Sequence, residues 1–280
     1  MARAQVIFRN RLSRLVMYLL LLCFMVWTLA PVYIIVSNSF RPTIEIKQMP
    51  PKILFKPIFT HYQRILTLDR FGVYFRNSII ISVSATFITI LFGSMAAYGL
   101  KIFRSRMGKR ISNVLLLGKM VPSITILIPL FMMMNRIHLT GTYIAPVLTL
   151  SCLSLPFVTW LMTGFIADIP TELIESASIV GCSRIKIFGL IIVPLLKPAI
   201  ASALILVMQS SWNELIFSLQ LTNLSTYPLT VGIARYVGAV SVDWGKCSAA
   251  ATITMVPIII IGFFMQKYLV SGMTSGAVKG

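Results

Sequence analysis

The sequence predicts an all-α, polytopic membrane protein with about six transmembrane helices. Three observations carry this. Of 280 residues, 57% are hydrophobic and only 11% charged, whereas a soluble domain carries about a quarter charged residues. Uncharged runs long enough to cross the hydrocarbon core, which takes about 20 residues of helix, recur along the chain. The bases that give a formal charge of +18 cluster at the ends of those runs, as they do beside anionic headgroups. That placement argues against nucleic acid as a partner and for membrane lipid.

The elements follow in order. Residues 1–14, with "RNRLSR", form a basic N-terminal segment. The span at 15–37 is expected to be a retained anchor, because its apolar run is too long for a signal peptide. An external segment, 38–76, follows. The core, 77–268, holds spans at 77–100, 112–134, 142–165, 198–218 and 248–268, with a polar loop at 166–197 and a tail at 269–280. Orientation follows the bases. Arg3, Arg9, Arg11 and Arg14 precede the first span, and "KIFRSRMGKR" at 101–110 holds five bases in ten residues. With an even number of spans, both segments, the polar loop and the tail share the cytoplasmic side. The external segment runs against this trend, with Arg41, Lys47, Lys52, Lys56, Arg64, Arg70 and Arg76, but the rule weakens over long segments.

Prolines fall inside the predicted spans: Pro122 and Pro129, Pro146 and Pro156, and Pro257. Each removes a backbone donor and can bend a helix. Gly93 and Ala97, in "GSMAAYG", permit close helix contact. The cysteines, Cys23, Cys152, Cys182 and Cys247, have no metal-site spacing. His61 and His138 stand apart and read as interfacial polar residues rather than ligands.

Catalytic chemistry is missing. The sequence has no phosphate-binding G-x-x-x-x-G-K-[ST] loop, no Ser-His-Asp or H-E-x-x-H arrangement and no ladder of intramembrane carboxylates. Glu214 is the one clear acid in a predicted span. Lys119 reads as a cation reaching for the cytoplasmic interface. No catalytic residue and no metal site is expected. An active transporter built this way needs its motor on another chain, and therefore a docking element.

Residues 170–198, "PTELIESASIVGCSRIKIFGLIIVPLLKP", are patterned for that. Pro170 suits the first turn of a helix, and Glu172 and Glu175 favour its positive end. Leu173, Ala177 and Val180 fall on one face. Gly181 can adopt the left-handed conformation that stops a helix. Ser183 can cap a second helix, which runs through "RIKIFGLIIV" and halts before Pro194. Pattern alone leaves open whether the first helix docks on a partner or lies on the membrane.

Here "ESASIVGCSRIKIFGLIIVP" resembles the E-A-A-x(3)-G-x(9)-I-x-L-P loop of bacterial binding-protein-dependent ABC transporter permeases. Glu175, Ala177, Gly181, Ile191 and Pro194 match, while Ser176 and Val193 depart from the pattern. "NSIIISVSATFITILFGSMAAYGL", "MVPSITILIPLF" and "WNELIFSL" are similar to other segments of the family. "SGMTSGAVKG" is similar to the tail of its carbohydrate-uptake members. The resemblance is to the maltose-type second permease subunit and covers nearly the whole chain.

It implies an ABC importer type I permease fold and an assembly. A second homologous permease subunit completes the pathway. Two ATPase subunits, with ATP and Mg bound to them and not to this chain, each receive one loop helix. An external solute-binding protein delivers the cargo, expected to be a sugar. By this resemblance the coupling loop uses Glu172, Glu175, Ser176, Ala177, Gly181, Ile191 and Pro194, and the tail, Gly276, Ala277, Val278, Lys279 and Gly280, contacts the ATPase pair. Trp212, Asn213 and Glu214 are candidates for a solute pathway, against the alternative that they hold helices together. Rival readings are a permease for another solute such as a phosphorylated polyol, a self-sufficient secondary transporter, and a scaffold that moves nothing.

Overall fold

The computed structural model describes residues 2–48, 50, 54–102, 110–111, 114–115, 117–238 and 241–274, with side chains for 14–264 of these. Among the described residues the chain is helical, with one isolated antiparallel bridge between Val237 and Val242. The contacts divide into two compact units. One comprises the chain up to Arg70 with Tyr236–Ile253; the other comprises Phe71–Arg235 with the chain from Thr254.

In the first unit, helix α1 (Ala2–Ser39) starts well before the predicted span. The basic N-terminal segment contains no helix breaker, and arginine is a good helix former. Its side chains from Leu15 to Ile34 are largely exposed, Trp27 by 80%, as suits a helix facing lipid. Two short helices follow, α2 (Thr43–Ile46) and α3 (Thr60–Thr67). One of the bases that argued against an external placement has a structural job. Arg41 is buried, with its guanidinium 4.5 Å from the Phe55 ring centre. His61, read from sequence as interfacial, is buried too. Its Nε2 hydrogen-bonds with the Arg41 carbonyl at 2.9 Å, and its ring fills the space a side chain at Gly245 would need. Lys246 pairs with Asp69 at 2.9 Å.

The second unit is built on α4 (Phe71–Ile102) and α6 (Ile144–Ala167). Their contacts advance together. Tyr143, just before α6, donates its hydroxyl to Asn77 Oδ1 (2.7 Å), Ser151 Oγ donates to the Ala85 carbonyl (3.3 Å), and Gly93 meets Val158. The two helices therefore run parallel with a steady register. A Cβ at Gly93 would stand 2.7 Å from Val158 Cγ1, whereas one at Gly99 meets nothing within 4 Å. Gly93→Leu is expected to destabilise the protein by about 1–3 kcal/mol through overpacking, and Gly99→Ala to be silent. Thermal denaturation in detergent checks both.

Three predicted spans differ from the helices observed. The span at 112–134 is interrupted: a turn occupies 119–120, and α5 (Ser123–Arg136) begins only after Pro122, whose ψ of 124° is extended. Pro122 thus precedes a helix instead of bending one. Pro129, Pro156 and Pro257 do lie within helices. The span at 198–218 ends early, since α10 (Lys197–Trp212) stops at Asn213. The last, α12 (Trp244–Thr274), runs longer than predicted at both ends. Among the described residues, four helices are long and apolar enough to cross a membrane, and five if a pair bent by 79° counts as one span. The prediction of about six is met in kind. Two predicted spans account for the difference: the break at 119–122 leaves a 14-residue helix, and α10, with 16 residues, is one arm of the bent pair.

Candidate functional site

The polar loop stands between α6 and α10. Its first helix, α7 (Thr171–Ile179), follows Pro170, which sits at the cap position one residue ahead of the first turn. A Schellman motif ends it. The Cys182 N–H donates to the Ala177 carbonyl (3.0 Å), the Gly181 N–H donates to that of Ser178 (3.0 Å), and Gly181 has φ +86°. Glycine adopts that conformation without a Cβ penalty. Ala177 and Cys182, the two ends of the longer bond, pack together on the core. Ser183 then caps α8 (Arg184–Ile187), its hydroxyl accepting from the Lys186 N–H at 3.4 Å.

The second helix does not halt before Pro194. It passes through a π-helical segment, Phe188–Ile192, in which the Val193 N–H reaches back five residues to the Phe188 carbonyl. Pro194 falls in the first turn of α9 (Val193–Leu195), where its missing N–H is tolerated. The chain turns at Leu196, and α10 leaves at 79°. The π segment supplies the adjustment that a proline needs mid-helix.

One side of this two-helix loop is anchored. Ile174, Ala177, Phe188 and Ile191 pack on a buried cluster that includes Tyr98, Ile166, Ile187 and Ile192. The anchor on α7 is therefore Ile174 with Ala177, not the predicted stripe. Leu173 is half exposed and Val180, at the C-cap, is 83% exposed; seven residues apart, they share a helix face beside the one that Ile174 and Ala177 bury. The other side is open. Glu172, Glu175, Ser176, Gly181 and Pro194 are exposed, and Ile179, Val180 and Ile185 form an apolar tip exposed by 86%, 83% and 81%. That tip is not among the predicted site residues. Its signal was two adjacent β-branched residues immediately before the helix-ending glycine, with a third just beyond the next cap.

The candidate pathway residues divide. Trp212 is 2% exposed, donates Nε1–H to the Thr254 carbonyl (3.2 Å) and stands edge-on to Phe75. Glu214 lies between helices, not within one. Its carboxylate caps α11 (Ile216–Leu221), accepting from the Phe217 N–H, the Ser218 N–H and the Ser218 hydroxyl, each at 2.9 Å. Asn213 is exposed, and its amide donates to the Gln209 carbonyl. Glu214→Ala is expected to lower stability by about 1–2 kcal/mol through loss of the cap and to leave the KM of uptake unchanged. A KM raised tenfold at unchanged stability would place Glu214 on the solute pathway. Lys119 is exposed in the turn at 119–120 that precedes α5. The tail, Gly276–Gly280, and most of the basic segment 101–110 lie outside the described residues. Among the described residues, no group of three or more His, Cys, Asp or Glu could hold a metal ion.

These features define a multi-span membrane protein that presents a paired-helix loop beyond its spans. The family described as the binding-protein-dependent transport system inner membrane component matches residues 89–275, and the chain belongs to that family. It is 34% identical to the trehalose/maltose transport system permease protein MalG of Thermococcus litoralis, over 88% of this chain and 89% of that one. It is 32% identical to the trehalose transport system permease protein SugB of Mycobacterium tuberculosis, over 91% of this chain and 93% of that one. It also superposes on a chain from the crystal structure of a bacterial ABC transporter involved in the import of the acidic polysaccharide alginate. That match has a TM-score of 0.79 and 22% identity, and covers 92% of this chain and 97% of the other. It is thus a permease of the ABC importer kind and shares that fold.

Proposed function

We propose that the chain is one membrane-spanning subunit of an ATP-driven, binding-protein-dependent importer of a saccharide. The observation that carries the coupling is the loop: one face is fixed to the core, while an apolar tip flanked by exposed acids stands free. Such a tip fits a groove on a soluble partner. In this reading that partner is an ATPase subunit, one of two, which holds the ATP and Mg; this chain binds no cofactor. A second homologous permease subunit completes the pathway, and an external solute-binding protein loads it. Closure of the ATPases drives the loops, and the loops drive the spans. Both termini, the basic segment at 101–110 and the loop face the cytoplasm of a bacterial inner membrane, and Gly276–Gly280 reaches the ATPase pair. A saccharide cargo is supported by the trehalose and maltose roles of the relatives. An anionic cargo is a second reading, favoured by the exposed Lys47, Lys56, Arg64 and Arg70 of the outer segment.

The test is copurification of the assembly, reconstitution into liposomes, and uptake of a panel of neutral saccharides, acidic saccharides and a phosphorylated polyol. The expected result is saccharide uptake that requires both ATP and the binding protein. Uptake driven by an ion gradient alone would overturn the reading.

A further inference from the structure

Lys101 occupies the last turn of α4 and is half-buried. Its ammonium donates to three backbone carbonyls: Ile166 at 3.0 Å, Ala167 at 3.3 Å and Ile169 at 2.9 Å. An ammonium has three donors, and here all three go to one short stretch. Ile166 and Ala167 close α6, where the regular i→i+4 ladder ends; the Ile166 carbonyl also accepts from the Ile169 N–H at 3.2 Å. Ile169 is buried and immediately precedes Pro170, the cap of α7.

The parallel pairing of α4 and α6 shows why a cation is needed there. The C-terminal end of α6 carries about half a negative charge, and the parallel register brings Lys101 beside it. Lys101 lies on the same register line as the contacts at Asn77, Ala85 and Gly93. Its charge offsets the negative pole of α6, and its hydrogen bonds fix where the chain leaves α6. From the turn before it, Tyr98 packs on Phe188 in the second helix of the loop, with ring centres 5.6 Å apart. The end of α4 therefore holds the loop twice, through Lys101 at its entry and through Tyr98 at its exit.

We propose that Lys101 is a positioning residue for coupling: it locks the entry of the loop to the α4–α6 pair, so that a displacement of α7 is passed to two spans as one body. This rests on reading the loop as the ATPase-coupling element. Loss of the lock lets the loop move without the spans, and ATP is then hydrolysed without uptake.

The experiment uses the complete reconstituted assembly and reads ATP hydrolysed per solute imported. Lys101→Met is expected to assemble and to raise that ratio by about tenfold, as charge-assisted hydrogen bonds are lost. Lys101→Arg, which keeps charge and donors, should restore the wild-type ratio. Lys101→Met combined with Gly99→Lys returns a positive charge to the same helix end at a position with open space, without the lock, and should remain uncoupled. Recovery in that double variant would overturn the proposal by showing that charge alone suffices. If Lys101→Met does not assemble, Lys101→Gln, with a stem one bond shorter, should give an intermediate ratio, and a wild-type ratio there counts against the lock. Gly181→Val is run alongside. Uncoupling by Gly181→Val with a wild-type ratio in Lys101→Met retires the Lys101 proposal alone. Wild-type ratios in both retire the coupling-loop reading as well.

Discussion

Gly181→Val is expected to reduce coupled uptake at least about tenfold while the protein still inserts. Two effects combine. Gly181 sits at φ +86°, where a side chain costs about 1–2 kcal/mol and a β-branched one fits worst. The Schellman bonds from Gly181 and Cys182 depend on that conformation, so relaxing the strain unwinds the end of α7. Inside the chain the valine meets nothing, since a Cβ at Gly181 has no neighbour within 4 Å. Its bulk is therefore felt by whatever approaches from outside. Gly181→Asn separates the two effects. Asparagine tolerates the left-handed region, so it should keep the turn and lose less uptake than valine. Glu175→Lys, on the open face of the same helix, reverses a charge at the proposed docking surface and should release the ATPase. If the loop only rested on lipid, that change would strengthen binding to an anionic surface and leave transport intact. ATPase copurification and uptake, measured together for the three variants, decide between these outcomes.

Ile179→Asp with Val180→Asp is expected to have the second largest effect, dissociating the ATPase without touching the fold. These side chains are 86% and 83% exposed, and surface substitutions of this kind usually change stability by within about 0.5 kcal/mol. Burying a carboxylate in an apolar groove costs about 2 kcal/mol or more, which weakens assembly by about thirtyfold or more. The measurement is ATPase retained on the purified permease, with thermal stability as the control. Full retention by a stable variant would show that the tip is not the docking surface.

What could be read from the sequence was what neighbours in sequence decide. The helix stop at Gly181 and the cap at Ser183 depend on residues within one turn, and both were legible. The long apolar helices were too, because lipid demands length and composition. Pro194 was misread because proline was weighed against an α-helix alone; a π segment ahead of it changes the backbone that it enters. The buried face of α7 is rotated from the predicted stripe: Ile174 takes the place of Leu173, and Val180, seven residues on from Leu173, is exposed with it. The capping role of Glu214 was hidden while the helix was assumed to continue past Asn213. Lys101 was one base among five in its segment. Its partners lie more than sixty residues away, and only the register of two parallel helices brings them within reach.

The central claim is that the loop around Gly181 docks on an ATPase. Cys182 lies in that loop, half exposed. With Cys23, Cys152 and Cys247 replaced by serine, a benzophenone maleimide on Cys182 can be photolysed in membranes containing the whole assembly. A covalent adduct that contains the ATPase subunit, lost in Ile179→Asp/Val180→Asp, is the result this account predicts. Adducts with lipid only, in an assembly that still imports its solute, would contradict it.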